Sequence, residues 1–270
     1  MIRWFSRENA RLGDRECVPR RRIDRRNVTV IVPTLNESSG IARFLGSIPA
    51  DVSVVMVDSS TDDTPDIARA VHPNVEVLSV RCNIATARQL GSQHARTEWL
   101  LFTDADVVFS PNYFSRLDAM EVGEDVGGIV GTKSTVAGFD AYHRWFRRGQ
   151  ACLHRVGIPA ATGSNLLIRA EALRQAGGFD PALSVNEDTE VMFRVNRAKW
   201  RVPLAADLDV QSFDHRRLER GVARKLVHGA LRNTALYLGL FDGMVRKSDW
   251  GYWSAGEPAP DDSAVSDRLV

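Results

Sequence analysis

The segment Val28–Thr34, VTVIVPT, shows no alternation of polar and apolar positions. A β-branched run of this kind predicts a strand covered on both faces. The period then changes. In SGIARFLGSI the apolar residues Ile41, Phe44, Leu45 and Ile48 recur at three- and four-residue steps, which predicts an amphipathic helix. VSVVMVD is a second buried strand ending at Asp58. SSTDDTPDIARAV supplies turn residues and then a helix with Pro65 near its start, where proline is tolerated. VEVLSV reads as a third strand, IATARQLGSQHA as a helix and WLLFTDAD as a fourth strand. Strands alternating with helices at these lengths predict βαβ units, a parallel sheet and right-handed crossovers.

The rhythm changes after Asp106. GGIVGTKST predicts a strand, and FDAYHRWFRRGQACLHRVG an amphipathic basic helix. GSNLLIRAEALRQAG reads as a short strand followed by a helix. NEDTEVMFRVNRA is a further helix with acids in its first turn, where the helix dipole favours them. WRVPLAADLDVQSF contains one or two strands. Residues 217–247 are helical in pattern, with Arg220, Arg224, His228 and Arg232 four apart on one face. That helix either packs on the core with a solvated basic face or lies on a membrane surface. Residues 248–270 hold two prolines, two glycines and five acids and read as a frayed tail.

Residues 1–27 differ from the rest. They hold nine arginines against four acids without apolar periodicity, which predicts a solvated, flexible arm, or one attracted to anionic lipid headgroups. The expected organisation is therefore an arm (1–27), a catalytic α/β domain (28–216), an amphipathic helix (217–247) and a tail (248–270).

Composition narrows the class. Of 270 residues, 44% are hydrophobic and 26% charged, as in a soluble globular protein with one large core. A net charge of +1 predicts no nucleic-acid partner. Three cysteines without metal-like spacing suggest a reducing compartment. No apolar run reaches the roughly 18 residues of a membrane span, and the arginine-rich start lacks the apolar segment of a signal peptide. The expected location is cytoplasmic, with the inner face of the membrane within reach of a basic arm and helix.

The candidate chemistry lies in acids at strand ends. Ligands of open α/β sheets bind beyond the carboxyl ends of the strands. Asp58 falls there, and so do Asp104 and Asp106, while Glu187 and Asp188 open a later helix. A single such acid can be a turn former. Two carboxylates one residue apart repel unless a cation sits between them, and Mg2+ or Mn2+ takes oxygen ligands while keeping positions for substrate phosphates. No G-x-x-x-x-G-K-[ST] loop is present, and no G-x-G-x-x-G follows the first strand. DADVV also fits the D-x-D-x-[TV] pattern of haloacid-dehalogenase-like phosphohydrolases. There, however, the motif usually ends the first strand of the core, whereas three strands precede it here.

The ordered set VIVPTLNE, VVMVDSSTDDT, NIATARQLG, FTDAD, GSNLLIRAEALRQAGGFD and NEDTEVMFRV resembles the family 2 glycosyltransferases. The resemblance covers roughly residues 28–217. It implies a GT-A fold, a Rossmann-like, mostly parallel sheet flanked by helices, here with a C-terminal helical extension. It also implies inverting transfer from a nucleotide-sugar donor (UDP- or GDP-linked) to an acceptor hydroxyl. Pro33, Asn36 and Glu37 would shape the base and ribose pocket, Asp58 would bind the base, and Arg88 would reach toward the nucleotide. Asp104 would sit near the ribose or the metal's water shell, and Asp106 would coordinate a divalent metal, Mn2+ or Mg2+. Asp188 would be the general base, with Glu187 beside it as helix cap or acceptor contact. His215 falls where some members supply a further metal ligand; otherwise it is a surface histidine beside two arginines. The Q-x-x-R-W signature of processive synthases is missing, so single addition is expected. The acceptor is not legible, and a lipid-linked one would suit a membrane-surface helix.

Overall fold

The computed structural model describes residues 19–135, 140–155, 157–183 and 186–212. The chain runs β1 (Arg20–Arg22), a 3-10 turn (Arg25–Asn27), β2 (Val28–Thr34), α1 (Ile41–Gly46), β3 (Ser53–Asp58), α2 (Thr64–Val71), β4 (Val75–Ser79), α3 (Ile84–His94) and β5 (Trp99–Phe102). It continues through β6 (Val107–Phe109), α4 (Tyr113–Ala119), β7 (Glu121–Gly123), β8 (Gly128–Thr135), α5 (Asp140–Arg155), β9 (Leu166–Arg169), α6 (Ala170–Gln175), α7 (Glu187–Arg197) and β10 (Leu204–Ser212).

One sheet of eight strands, ordered β4-β3-β2-β5-β9-β8-β10-β6, forms the frame. The first four strands are parallel, as the alternating pattern predicts. β9 enters antiparallel to both β5 and β8, β8 and β10 are parallel, and β6 closes the far edge antiparallel to β10. The sheet is thus mostly parallel, with β9 reversed at its centre.

The pleat sends alternate residues to two cores, which is why β2, β3 and β5 read as unbroken apolar runs. Val30, Val32, Val54, Met56 and Leu101 meet α1, α2 and α4 on one face. Ile31, Val55, Val57, Leu100 and Phe102 meet α3, α6 and α7 on the other.

The turn after β5 fixes the sheet's shape. In a flat sheet β6 would lie four strand spacings, about 19 Å, from β5. The chain from Phe102 to Val107 takes five residue steps, reaching at most about 18 Å if extended, and it contains a turn that shortens it further. The sheet must therefore curl. It curls toward α1: Phe109 stacks 6.2 Å from Phe44, its amide donates to Ser47 Oγ at 3.2 Å, and it packs with Tyr113 and Phe114 of α4.

The flexible arm expected through residue 27 does not extend that far. Residues Arg20–Arg22 pair with β7, Ile23 is buried, and its amide donates to Met120 O at 3.1 Å. Four of the arginines here face acids: Arg21 with Glu124, Arg22 with Glu121, Arg25 with Asp118 and Arg26 with Asp24. This stretch therefore presents little unbalanced charge to anionic lipid. Residues 1–18, His215, the expected helix at 217–247 and the tail lie outside the described residues. Among the described residues no helix is long and apolar enough to cross a membrane.

α3 lies close to the sheet because Gly91 faces β2. A Cβ at that position would come within 2.5 Å of Ile31 Cγ2 and 3.5 Å of Val57 Cγ2, both in the packed core. Gly91→Ala should therefore destabilise the protein by about 1–3 kcal/mol through overpacking. Urea unfolding of the variant measures this; an unchanged or raised midpoint would contradict the close packing.

Candidate active site

The carboxyl ends of β2, β3, β5 and β8 and the start of β9 share one edge of the sheet, as their registers require. Two polar clusters form along that edge.

The first joins the ends of β2 and β3. Asp58 is buried, and its Oδ1 accepts from Thr34 Oγ1 and from Ser60 Oγ, both at 2.6 Å. Ser60 Oγ in turn accepts from the amide of Asn36 at 2.8 Å, and Asn36 Oδ1 accepts from the amide of Thr61 at 2.9 Å. Asn36 adopts φ 54°, a left-handed conformation that asparagine tolerates better than most residues. The Glu37 amide donates to Thr64 Oγ1 at 2.9 Å. Asn36, Glu37 and Asp58 are thereby cross-linked at the ends of β2 and β3, where Pro33 pairs with Val57.

The second cluster surrounds Arg88. Gly91 brings α3 onto the sheet, and Asn83 caps the helix by accepting from the Thr86 amide at 2.8 Å. Arg88, one turn before Gly91, is 1% exposed. Its Nη1 donates to Glu187 Oε1 at 2.7 Å, and its Nη2 to Asp104 Oδ1 at 2.9 Å and to Gly163 O at 3.1 Å. Gly163 must be glycine for this contact, since a Cβ would lie 2.6–2.7 Å from the two Nη atoms. The other oxygen of Asp104 accepts from Ser164 Oγ at 2.5 Å, and Ser164 Oγ accepts from Lys133 Nζ at 2.9 Å. Both oxygens of Asp104 are thus held by protein donors.

Asp106 follows Asp104 in the turn and is half-buried; Asp188 follows Glu187 and is also half-buried. Asp188 Oδ1 accepts from the Thr189 amide at 2.6 Å. Asn186, at φ 62°, turns the chain into α7 so that Glu187 enters the interior beside Arg88. Burial opposes the charge of Arg88, but Glu187, Asp104 and Asp188 outweigh it and raise its pKa. Glu187 is the converse case. Burial raises its carboxyl to about 7, Arg88 offsets only part of that rise, and the charges of Asp188 and Asp104 add to it.

Deeper in the sheet, Tyr113 Oη donates to Asn165 Oδ1 at 2.7 Å, and Asn165 Nδ2 donates to Thr132 O and Leu208 O, both at 2.9 Å. Asp209 accepts from Thr132 Oγ1 and Ser134 Oγ, tying β8 to β10 beneath the cleft.

Among the described residues, no group of three or more His, Cys, Asp or Glu could hold a metal ion. The edge instead carries Asp104, with both oxygens engaged, and Asp106, too few carboxylates to enclose an ion. That suits a hard divalent cation sharing its coordination with a phosphate ligand, not a cage closed by the protein alone.

The edge therefore assembles Arg88, Asp104, Glu187 and Asp188, with Asp106 in the same turn, while His215 lies outside the described residues. Gly163, Ser164 and Lys133 were not singled out from the sequence. Their only signal was position, at a strand start and a strand end on the edge that carries the acids.

Glu187 gives the fold a pH dependence. Its folded-state pKa, about 7, lies above the ordinary 4.5, so the folded state holds this proton more tightly than the unfolded state. The stability gained from that is complete below about pH 4.5 and is lost as pH rises through about 7. Glu187→Gln removes the titration. Denaturant unfolding across this range should show the variant gaining on the wild type as pH rises; parallel curves would exclude the effect.

Comparison with known proteins identifies the family and the fold. The model of glycosyl transferase family 2 matches residues 29–177, more than half of the 270-residue chain. The chain is 30% identical over 197 residues to succinoglycan biosynthesis protein ExoA of Rhizobium meliloti, a match covering 64% of this chain and 59% of that protein. The chain thus spans less than two thirds of that relative. The fold resembles a mannosyltransferase from Pyrobaculum calidifontis solved with GDP-Man and Mn2+, at TM-score 0.57 and 24% identity over 84% of this chain and 66% of that one. It also resembles glucosyl-3-phosphoglycerate synthase from Mycobacterium tuberculosis solved with Mn2+, UDP-glucose and phosphoglyceric acid, at TM-score 0.55 and 18% identity over 78% of each chain. With the family model aligned across β2 to α6, and the curled sheet matching GT-A structures, the chain belongs to glycosyl transferase family 2.

Proposed function

We propose that this protein transfers a sugar from a nucleotide-sugar donor, UDP- or GDP-linked, to an acceptor hydroxyl with inversion. The observation that carries the reading is the convergence of Asp104 and Glu187, the first acids of the pairs Asp104/Asp106 and Glu187/Asp188, on one buried guanidinium at the ligand-binding edge of the sheet. The first polar cluster receives the nucleoside: Asp58, with hydroxyls directed at its Oδ1, suits a base that offers N–H donors. Pro33, Asn36 and Glu37 wall the same end.

Asp104, with both oxygens engaged, is a fixed anion that shapes the turn. Asp106 is the residue that would hold a divalent metal, Mn2+ or Mg2+. Such an ion supplies positive charge opposite the donor diphosphate. The roles of Glu187 and Asp188 divide by burial. Glu187 is the buried partner of Arg88, whereas Asp188 is partly accessible and suits a general base. As the acceptor oxygen attacks C1, its proton passes to the Asp188 carboxylate. The bond from C1 to the diphosphate oxygen breaks, and its electron pair leaves with the nucleoside diphosphate. Attack opposite the leaving group inverts the anomeric centre.

The phosphohydrolase alternative is disfavoured by the same geometry. In that chemistry the first Asp must attack phosphorus, whereas Asp104 has its two oxygens bound by Arg88 and Ser164. The acceptor, including a lipid-linked one, is left to experiment, as is any contact of the arm and C-terminal helix with a membrane.

Two substitutions divide binding from chemistry. Asp106→Asn should keep the fold and abolish the Mn2+-dependent part of nucleoside diphosphate binding, read by thermal shift with and without Mn2+; at 100 times Kd a bound ligand adds about 2.7 kcal/mol. Unchanged metal-dependent stabilisation would remove Asp106 from the metal site.

Asp188→Asn should bind donor normally and transfer about 10²–10⁴-fold more slowly, because the carboxylate acts only as the acceptor proton moves. Product NMR should show the anomeric configuration opposite to that of the donor. Wild-type turnover in the variant, or a retained configuration, would refute the mechanism.

A further inference from the structure

Arg88 and Lys133 both reach the ligand-binding edge near the DAD turn, and they are used differently. Arg88 is compensated in charge: its Nη atoms meet Glu187, Asp104 and a backbone carbonyl, although among the described residues its buried Nε has no hydrogen-bond partner. Lys133 is not. It lies on β8 opposite Val210 of β10, and β8 points the same way as β5 because β9 is antiparallel to both. Its ammonium therefore arrives at the edge where Asp104 sits. Nζ donates to Ser164 Oγ at 2.9 Å, and Ser164 Oγ donates to Asp104 Oδ2 at 2.5 Å.

The direction of this relay is fixed by chemistry. An ammonium has only donors and an ionised carboxylate only acceptors, so the single hydroxyl proton goes to Asp104 and an oxygen lone pair to Lys133. Among the described residues no carboxylate forms a salt bridge with Lys133, and its hydrogen bond to Ser164 uses one of three N–H donors. A half-buried ammonium left in that state carries a desolvation cost that a bound anion would offset.

The strand order says which anion. Asp58 ends β3, Asp104 follows β5, and Lys133 lies on β8, beyond β5 and β9. A nucleotide with its base at Asp58 and its phosphates by the DAD turn runs toward Lys133. The phosphate nearest the lysine is then the distal one, which bears the sugar. We propose that Lys133 is a binding residue for the distal phosphate of the nucleoside diphosphate, oriented by Ser164. This rests on the nucleotide-sugar reading above. When the C1–O bond breaks, its electron pair settles on an oxygen of that phosphate. The ammonium offsets the added charge without giving up a proton.

The test needs no acceptor. Calorimetric titration of the full chain with UDP and UMP, and with GDP and GMP, in Mn2+ gives the preference for diphosphate over monophosphate. Wild type should prefer the diphosphate. Lys133→Met should weaken diphosphate binding by about tenfold or more, the scale of a hydrogen bond to a charged group, and leave monophosphate binding within about twofold. Lys133→Arg should recover most of the loss. Unchanged diphosphate affinity in Lys133→Met would overturn the assignment, as would equal loss for both nucleotides, which is what a purely structural lysine would give. A wild-type chain that binds none of these nucleotides would overturn the donor reading and the Lys133 assignment together; binding without the diphosphate-specific loss overturns the assignment alone.

Discussion

A guanidinium buried away from water has to be met by charge, and the site is organised around that requirement. Arg88 draws Asp104 from the turn after β5, Glu187 from the start of α7 and the Gly163 carbonyl from the turn before β9. Three segments far apart in sequence are fixed relative to one another by one side chain. Removing one partner of a buried ion pair typically costs about 3–5 kcal/mol, because the remaining charge is left uncompensated. The two glycines near Arg88 serve the same end. Gly91 lets α3 approach the sheet, and Gly163 leaves room for the Nη atoms.

The acids divide in a regular way around this centre. In each pair the first member, Asp104 or Glu187, is bound to Arg88, and the second, Asp106 two positions on or Asp188 one position on, is half-buried. One acid of each pair anchors Arg88. Spacing alone could not assign these parts, since the two aspartates of DAD look alike in sequence. The asymmetry arises from Ser164 and Arg88, which come from other strands and helices.

The parts of the fold that could be read from sequence are those where burial imposes a pattern. β2, β3 and β5 are apolar throughout because both faces are covered, and Asp58 and Asp104 stand out because they end such runs. β9 was visible as a strand, LLIR, but an apolar strand reads the same in either direction, so its reversal was hidden. β1 was missed because its three residues are all arginine and all exposed; it is held by backbone pairing to β7 and by the burial of Ile23, neither of which leaves a periodic signature. β6 is too short to show a period, whereas α4 does carry one in Tyr113, Phe114 and Leu117. Lys133 and Ser164 gave no chemical signal, because a lone lysine and a lone serine near strand ends are ordinary until the tertiary structure places them beside Asp104.

The shortness of the link from β5 to β6 carries a consequence for how this chain can vary. Residues 103–106 join the fourth strand of the sheet's order to its last, and Val107 and Phe109 of β6 face the core while Val108 does not. Side chains alternate along a strand, so one residue inserted into the turn would reverse the faces of β6 unless its pairing with β10 slipped to match. Phe109 would then leave the aromatic cluster that anchors the curled edge to α1. The interval between the two aspartates is therefore under mechanical as well as chemical control. A longer loop could still offer two carboxylates to a ligand, yet it would detach the edge of the sheet that brings the second half of the cleft around to face the first.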